Sequence, residues 1–473
     1  MSNNTALPIA VIGAGPIGLA AAANIAARNE TPLVFEASDD VAGHIQQWAH
    51  VHVFSPWKYN VDAAAVTLLE KEGWQLLEPD ALPTGGQLIE QYLRPLANTP
   101  ELKPHIHFNA RVTGVSRRRI DKLKDTGRDD APFVLQVDVN GEPKRFLARA
   151  VIDASGVWST PNPLGSDGLT APGEQAFADK IHYGIPDILG RHLTQYADKT
   201  VAVIGGGHSA INAVLELGDL QQARPQTKIH WILRKAQVQD AYGGAEQDAL
   251  PGRGSLGVRI REMVEAGQVV VHTPFYITHL EDEAGKVRLI GDTTQGSDRV
   301  VVDEIIAATG ARPDLSFLRE LRLSLDSSVE SPATLAPLID PNLHSCGTVP
   351  PHGEAELRQP EPNFYIVGNK SYGRAPTFLL ATGYEQVRSV VAALAGDWEA
   401  AQDVQLNLPE TGVCGVSVVD ANAVEVACCT PSSGTDEAAC CAPISQSEVL
   451  AESRFVPAEE LLVVSTSTKD RCC

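Results

Sequence analysis

The chain has 473 residues, enough for roughly two to four domains of ordinary size. Hydrophobic residues make up 43% of it and charged residues 21%, as in a globular protein, and no apolar run reaches membrane-spanning length. The net charge of −21 disfavours nucleic acid and anionic membranes as partners. The N-terminus lacks the pattern of a secretory signal, so we expect a cytoplasmic protein.

Two stretches of the chain predict the same strand, glycine turn, helix and strand. The first has a strand at residues 8–12, a helix at 17–28 and a strand at 33–36. The second follows about 190 residues later, with a strand at 200–204, a helix at 209–217 and a strand at 229–233. Two further strands each end on a loop of small residues that finishes with glycine, at Gly156 in DASG and at Gly310 in ATG. This pattern predicts an α/β protein with two Rossmann-like dinucleotide-binding domains.

The first unit has the glycine spacing G-x-G-x-x-G between its first strand and its helix. Gly13 permits the tight turn, Gly15 lets a pyrophosphate approach the backbone, and Gly18 lets helix and strand pack closely. Pro16 lies at the start of the helix, whose N-terminus would carry the phosphates. Glu36 closes the second strand, where a carboxylate accepts hydrogen bonds from both ribose hydroxyls of an adenosine and repels a 2′-phosphate.

The second unit has the variant spacing G-x-G-x-x-A over residues 205–210. Its second strand ends on Arg234 and Lys235, and a guanidinium there suits the extra phosphate of NADPH. The alternative is a surface Arg–Lys pair beside an NADH site. His208 follows the glycines, and we expect it to pack or to contact the cofactor without a catalytic role. The residues that we expect at this cofactor are Gly205, Gly207, His208, Ser209, Arg234 and Lys235.

The order of these units predicts four segments. Residues 1–165 and 301–402 form the first dinucleotide-binding domain, and residues 166–300 form the second. Residues 403–473 form an appended tail that is acidic, rich in cysteine and partly of linker composition. Within the first domain, the basic run from Arg117 to Lys124 predicts a solvated hairpin loop.

Together these motifs resemble the flavoproteins that bind two dinucleotides. The stretches that carry the resemblance are GAGPIG at 13–18 with Glu36, DASG at 153–156, GGGHSA at 205–210 with Arg234, ATG at 308–310 and IVGN at 366–369. Within that group the chain resembles the flavin-containing monooxygenases and the flavoproteins linked to arsenic resistance. The resemblance implies FAD at the first unit and NADPH at the second, with NADH as the alternative.

The resemblance also implies roles for single residues around FAD. The residues that it places at the adenosine and the pyrophosphate are Gly13, Gly15, Pro16, Gly18, Glu36 and the backbone around Val112. Gly368 and Asn369 would approach the pyrophosphate and the ribityl chain, although many relatives have aspartate in place of Asn369. Gly156 and Gly310, which end the two further strands, complete the candidate cofactor-binding set.

The segment FSPWKYN at 54–60 lies where the monooxygenase relatives cover the flavin ring. Trp57 and Asn60 are therefore the candidate catalytic residues, as neighbours of the flavin. The monooxygenase signature F-x-G-x-x-x-H is not intact, because Phe177 and His182 are one residue too close and no glycine lies between them.

The positions of the cysteines argue against an internal thiol relay. Disulfide reductases of this architecture carry C-x-x-x-x-C or C-x-x-C, because their flavin electrons leave through a thiol pair in van der Waals contact. Neither spacing occurs among the eight cysteines, and none precedes Cys346. Reduced flavin must then pass its electrons to a bound substrate, to oxygen or to thiols brought from elsewhere. Oxygen needs no protein thiol, so the pattern favours monooxygenation.

Six of the cysteines form adjacent pairs near the C-terminus. The pairs are Cys428 with Cys429, Cys440 with Cys441, and Cys472 with Cys473. Because adjacent cysteines form disulfides only through a strained ring, we interpret the pairs as thiolate ligands for a soft ion such as As(III) or Hg(II). Mercuric reductases also end in an adjacent cysteine pair, which the terminal pair resembles. The alternative is a tail whose cysteines bind nothing specific.

Three functional hypotheses fit these observations. The leading hypothesis is an NADPH-dependent, FAD-containing monooxygenase that uses molecular oxygen on a soft nucleophile, with trivalent arsenic favoured. The second is an NADPH-driven reductase that passes electrons to the tail cysteines or to a soft metal. The third is a flavoprotein of unrelated substrate with a metal-sequestering tail. The sequence leaves the oligomeric state open.

Overall fold

The computed structural model describes residues 7–76, 78–244, 250–343, 349–376 and 378–404. All eight cysteines lie outside the described residues, and with them the predicted thiolate ligands Cys428, Cys429, Cys440, Cys441, Cys472 and Cys473. Within the described ranges, no helix is long and apolar enough to cross a membrane.

The described residues form both β-strands and α-helices, with these bounds. The strands are β1 Ile9–Ile12, β2 Pro32–Phe35, β3 Ile106–His107, β4 Ala110–Arg117, β5 Phe133–Val139, β6 Glu142–Ala148, β7 Ala150–Asp153, β8 Ile181–Tyr183, β9 Thr200–Ile204, β10 Lys228–Ile232, β11 Val270–His272, β12 Tyr276–Glu283, β13 Lys286–Thr293, β14 Gly296–Val302, β15 Glu304–Ala307 and β16 Phe364–Ile366. The helices are α1 Pro16–Ala27, α2 Gly43–Gln46, α3 Ala63–Lys71, α4 Gly85–Leu88, α5 Arg94–Ala97, α6 Leu193–Tyr196, α7 His208–Ala223, α8 Pro251–Glu265, α9 Ala336–Ile339, α10 Glu354–Leu357, α11 Leu380–Leu394 and α12 Trp398–Gln402.

The first parallel sheet has the strand order β16, β7, β1, β2, β3. Its central strand β1 is wholly buried and apolar, as expected for a strand covered on both faces. In the register of the sheet, Ile12 lies beside Phe35 on one side and beside Asp153 on the other. The carboxyl ends of these strands therefore meet at one edge, where ligands bind in open α/β sheets.

Helix α1 packs closely on this sheet because it is made largely of small residues. Its side chains from Ile17 to Ile25 are buried, and it packs against α11 from the C-terminal part of the same domain. Parallel strands need crossover connections of this kind, and the strand–helix–strand unit that the sequence predicts is confirmed.

The second parallel sheet has the strand order β11, β10, β9, β15, β8. Ile204 at the end of β9 lies beside Ile232 and Ala307, so this sheet also gathers its carboxyl ends at one edge. The two Rossmann-like domains predicted from the sequence are both present. The predicted boundary at residue 300 moves, because β15 pairs with β9 and belongs to the second domain.

Each domain contains a three-stranded antiparallel sheet in addition to its parallel sheet. Strands β4, β5 and β6 accompany the first sheet, and β12, β13 and β14 accompany the second. The hydrophobic cluster beneath β4 and β5 includes Ala10 and Ile12 from β1, which ties the antiparallel sheet to the first domain.

The predicted hairpin loop lies between β4 and β5, and its basic residues Arg118, Arg119, Lys122 and Lys124 are exposed; Arg117, at the start of the run, is buried instead. Arg117 has a relative exposure of 2%, and its Nε donates to Glu361 Oε1 at 2.7 Å. Its guanidinium also lies over the ring of Phe133, 3.7 Å from the ring centroid. The sequence missed this pairing because the acidic partner lies 244 residues further along the chain.

Candidate functional site

The first glycine turn has the shape that a pyrophosphate site requires. Gly13 adopts φ of +99°, which favours glycine, and a Cβ added at Gly18 would lie 1.9 Å from the carbonyl oxygen of Gly13. A Cβ added at Gly15 would meet nothing within 4 Å. Gly15 is thus needed for neither the turn nor the packing. The open space beside it, at the N-terminus of α1, fits a phosphate that approaches the backbone.

Glu36 lies at the same edge of the sheet and is 8% exposed. Its Oε2 accepts the N–H of Ala14 at 2.7 Å and its Oε1 accepts the N–H of Ser38 at 2.9 Å. These two bonds fix the carboxylate beside the glycine turn, and each oxygen keeps a lone pair for a ribose hydroxyl. His44 lies nearby. Burial lowers its pKa, and the charge of Glu36 opposes that shift.

A buried ion pair that the sequence did not indicate lies next to this turn. Lys370 Nζ is 2.7 Å from Asp153 Oδ2, and the side chains of both residues are fully buried. The same Nζ donates to Ser155 Oγ at 3.0 Å. Asp153 ends β7, so the pair joins the DASG loop to the segment that begins at Gly368.

Gly368 follows β16 at the same edge of the sheet and has φ of +68°. Its N–H donates to Gln386 Oε1 at 2.7 Å, and Gln386 in turn lies 2.9 Å from His352 Nε2. His352 Nδ1 lies 3.1 Å from the carbonyl oxygen of Pro350, and burial lowers the pKa of the imidazole. A neutral ring that donates from Nδ1 and accepts at Nε2 fits both contacts. The side chain of Asn369 is exposed.

The remaining residues predicted around FAD differ in their surroundings. Gly156 has φ of +71° and open space beside it, as a loop near a ligand requires. Val112 lies on β4 opposite Val137 and is 9% exposed. The glycine turn, Glu36, Gly156 and Gly368 thus come together at the carboxyl edge of the first sheet.

The second glycine turn has the same construction. Gly205 adopts φ of +131°, and a Cβ there would lie 2.2 Å from the carbonyl oxygen of Ala308. Gly207 again has nothing within 4 Å, and helix α7 begins directly after it at His208. Ser209 is half-buried in the first turn of that helix. This N-terminus is thus a second place where phosphate oxygens can approach free backbone N–H groups.

The basic pair after β10 lies beside this second turn. A Cβ added at Gly206 would lie 3.2 Å from Lys235 Cε. Lys235 Nζ donates to the carbonyl oxygen of Asp240 at 2.6 Å, and Arg234 Nη1 donates to that of Ser166 at 3.2 Å. Both side chains are exposed. Gly310, with φ of +81°, follows β15 at the same edge of the second sheet.

The segment at 54–60 contacts both domains, through His208 on α7 and Tyr384 on α11. The ring of Phe54 lies 5.6 Å from that of His208, so His208 packs at the start of α7. Trp57 is 6% exposed and Asn60 is 1% exposed. Their predicted role beside the flavin stays a prediction.

The amide of Asn60 is occupied by its own segment. Its Nδ2 donates to the carbonyl oxygens of Ser55 at 2.7 Å and Pro56 at 3.0 Å, and its Oδ1 accepts from Ser55 Oγ at 2.8 Å. The hydroxyl of Tyr384 on α11 donates to the carbonyl oxygen of Asn60 at 2.8 Å. These contacts hold the segment in place through Asn60.

The fold and the family identified below are those of an oxidoreductase that uses FAD and a nicotinamide dinucleotide. The chain belongs to the pyridine nucleotide-disulphide oxidoreductase family, whose model matches residues 10–346. Proteins of this family use FAD and NAD(P)H. The family name refers to disulfides, yet this chain lacks both thiol-pair spacings described above.

Curated relatives of the chain include ferredoxin–NADP reductases, among them the following two. The protein from Lactiplantibacillus plantarum is 24% identical over 315 residues, which is 66% of this chain and 75% of the relative. Ferredoxin–NADP reductase 1 from Bacillus velezensis is 25% identical over 328 residues, which is 68% of this chain and 78% of the relative.

Solved structures with the same fold include both reductases and monooxygenases. Bacillithiol disulfide reductase from Bacillus cereus has a TM-score of 0.62 at 19% identity, and covers 82% of this chain and 99% of its own. The FAD-bound cadaverine monooxygenase from Erwinia amylovora has a TM-score of 0.59 at 13% identity, and covers 86% of this chain and 99% of its own. At these identities the likeness shows the fold alone.

Proposed function

We propose that the protein is an NADPH-dependent, FAD-containing monooxygenase that oxidises a soft nucleophile, with trivalent arsenic as the favoured substrate. The observation that carries the proposal is the placement of the cysteines. Both glycine turns and every residue that we assign to the cofactors precede residue 370, and in that span only Cys346 is a cysteine. A single thiol cannot form the internal disulfide through which a disulfide reductase passes its electrons.

In this proposal the first glycine turn and Glu36 hold the adenosine diphosphate of FAD, and Arg234 holds the 2′-phosphate of NADPH. The flavin, when bound, accepts a hydride from NADPH and supplies two electrons to oxygen. The overall reaction balances as NADPH, a proton, oxygen and substrate giving NADP+, water and the substrate with one added oxygen atom. A lone pair on As(III) would form the new bond to that oxygen.

The segment at 54–60 supports a reaction that must exclude water. Trp57 is buried, and Asn60 fixes the segment through its bonds to Ser55, Pro56 and Tyr384. A rigid, apolar cover over a reactive site keeps oxygen chemistry from decaying unproductively. We assign Trp57 to this cover and Asn60 to positioning it.

The tail supports the choice of arsenic within this proposal. Three adjacent cysteine pairs offer up to six thiolates, and As(III) accepts three. We assign the pairs to capture of the metalloid before oxidation. This assignment concerns residues outside the described ranges and is based on the sequence alone.

The reaction class is tested by following NADPH oxidation in the full-length, FAD-loaded protein with arsenite present. We expect rapid NADPH oxidation in air with one arsenate formed per NADPH, and no arsenate without oxygen. A variant with all six paired cysteines changed to Ser should keep basal NADPH oxidation and lose tight As(III) binding. Full arsenate formation under anaerobic conditions would contradict a monooxygenase.

A reductase is the second candidate, because the curated relatives described above are named ferredoxin–NADP reductases. A reductase would give NADPH oxidation that depends on an added electron-carrier protein and forms no oxygenated product. Anaerobic turnover with ferredoxin, in the absence of any arsenite oxidation in air, would favour this candidate.

A further inference from the structure

A cleft of about 760 Å³ lies in the first domain, outside both cofactor regions. One wall is the basic loop that includes Arg119 and Asp121, and the other is the segment from Ser316 to Glu320. The outer face of the antiparallel sheet β4, β5, β6 forms its floor.

The register of the sheet places this floor on the face opposite Val112, the residue predicted near the adenine. Gly114 pairs with Gln136, Ser116 pairs with Val134, and Gln136 pairs with Arg145, so these residues share one face. The opposite face includes Val112 and packs in one hydrophobic cluster with Ala10 and Ile12 of the first parallel sheet. Strand β5 contributes Phe133, Leu135 and Val137 to this cluster. A ligand in the cleft would therefore lie across the sheet from that cluster.

Three arginines from separate elements line the cleft. Arg119 comes from the loop, Arg145 from β6, and Arg319 from the segment after Phe317. Within the part of the chain that the structure describes, none of the three side chains forms an ion pair or hydrogen bond. The chain as a whole is acidic, with 59 acidic and 38 basic residues. Three unpaired arginines around one cleft therefore make its local charge more positive than that of the protein as a whole.

Buried ion pairs of Glu361 with Arg117 and Arg128 lie beneath the two walls. Glu361 accepts from Arg117 at 2.7 Å and from Arg128 at 2.5 Å, and all three side chains are at most 2% exposed. Arg128 also donates to the carbonyl oxygens of Asp121 at 3.0 Å and Glu320 at 2.9 Å. One guanidinium thus joins the backbones of the two walls.

The cleft also contains two carboxylates. Asp121 accepts the N–H of Leu123 at 2.9 Å, and Glu320 accepts the N–H of Lys122 at 3.0 Å. Both are thus engaged in holding the loop. Hydroxyls and an amide at the floor and walls, from Thr113, Ser116, Ser316 and Gln136, offer further neutral donors.

One wall is apolar enough to contact more than an inorganic ion. The half-buried ring of Phe317 lines the cleft, and Lys370 Nζ lies 4.5 Å from its centroid. Ile120 lines the opposite wall. A guanidinium prefers phosphate oxygens in a forked geometry, and an aromatic ring prefers a planar or apolar group.

We propose that this cleft binds a phosphate ester that carries a planar or apolar group, at a site separate from both dinucleotide sites. Arg119, Arg145 and Arg319 hold the phosphate, and Phe317 and Ile120 contact the organic part. Arg119 has φ of +65°, a conformation uncommon for a side-chain-bearing residue, in the tight turn between Arg117 and Ile120.

The proposal is tested by calorimetric titration of the full-length, FAD-loaded protein, saturated with NADP+ so that its nucleotide sites are filled. Phenyl phosphate and inorganic phosphate are the two probes. We expect one phenyl phosphate per chain, bound at least about tenfold more tightly than inorganic phosphate because of the apolar contacts.

A matched pair of variants separates the cleft from general charge effects. The triple variant that combines Arg119→Gln, Arg145→Gln and Arg319→Gln should bind phenyl phosphate about tenfold or more weakly than the parent. The control changes three exposed arginines outside the cleft, Arg118→Gln, Arg224→Gln and Arg259→Gln, and should bind as the parent does. The proposal would be overturned if the parent does not bind phenyl phosphate, or if it binds inorganic phosphate equally well. It would also be overturned if both variants lose the same amount of affinity for phenyl phosphate.

Discussion

Gly15→Ala should weaken FAD binding without disturbing the fold. Gly15 has φ of −78°, which any residue adopts, and a Cβ there would meet no protein atom within 4 Å. The methyl group would instead occupy the space in which the pyrophosphate approaches the N-terminus of α1. Loss of a charge-assisted hydrogen bond costs about 1.5 to 3 kcal/mol. That corresponds to FAD binding weakened by roughly 10- to 150-fold.

The assay is FAD content after gel filtration together with the dissociation constant for added FAD. The melting temperature of the apoprotein should match that of the parent apoprotein. Gly207→Ala is the matched control, because its Cβ also meets nothing within 4 Å but lies at the second turn. It should retain FAD and raise the KM for NADPH. If Gly15→Ala binds FAD as tightly as the parent, the pyrophosphate does not pass over Gly15 and the assignment is wrong.

Further predictions concern charge and pH. Arg234→Ala should raise the KM for NADPH by about 10- to 100-fold and leave the KM for NADH nearly unchanged, because only NADPH has the 2′-phosphate. Steady-state kinetics would measure both values. An equal rise in both KM values would mean that Arg234 does not bind the 2′-phosphate. Glu361→Gln should lower the unfolding free energy by about 3 to 5 kcal/mol in urea, because it leaves Arg117 and Arg128 buried without a counter-charge. Burial and the charge of His272 lower the pKa of His230 to about 4. Between pH 6.5 and 4 the unfolded chain therefore binds a proton at His230 that the folded chain does not, so the unfolding free energy measured in urea should fall as the pH drops through this range. His230→Asn should make that fall smaller. The same pH dependence in the variant and the parent would contradict this role of His230.

The two strand–helix–strand units could be predicted because their signals are local. The strand Thr200–Ile204 has the predicted bounds, and helix α1 differs from its prediction by one residue at each end. Helix α7 runs to Ala223, past the predicted end at Leu217, because Gly218 and Asp219 continue a helix whose apolar face is held by tertiary packing.

The buried charges could not be predicted, because each joins residues far apart in the sequence. Lys370 and Asp153 are 217 residues apart, and Arg117 and Glu361 are 244 apart. In the sequence Arg117 belongs to a basic run, a pattern typical of a solvated loop. Only the folded chain brings the distant carboxylate beneath it, and the cleft between the two walls follows from that pairing.

The most direct test of the proposed function is the source of the oxygen atom in the product. The full-length, FAD-loaded protein would turn over arsenite and NADPH under 18O-labelled dioxygen in unlabelled water, and the arsenate would be analysed by mass spectrometry before exchange. A monooxygenase predicts one labelled oxygen in each arsenate formed. Arsenate without label, or NADPH oxidation with no arsenate, would contradict the proposal that the protein oxygenates its substrate.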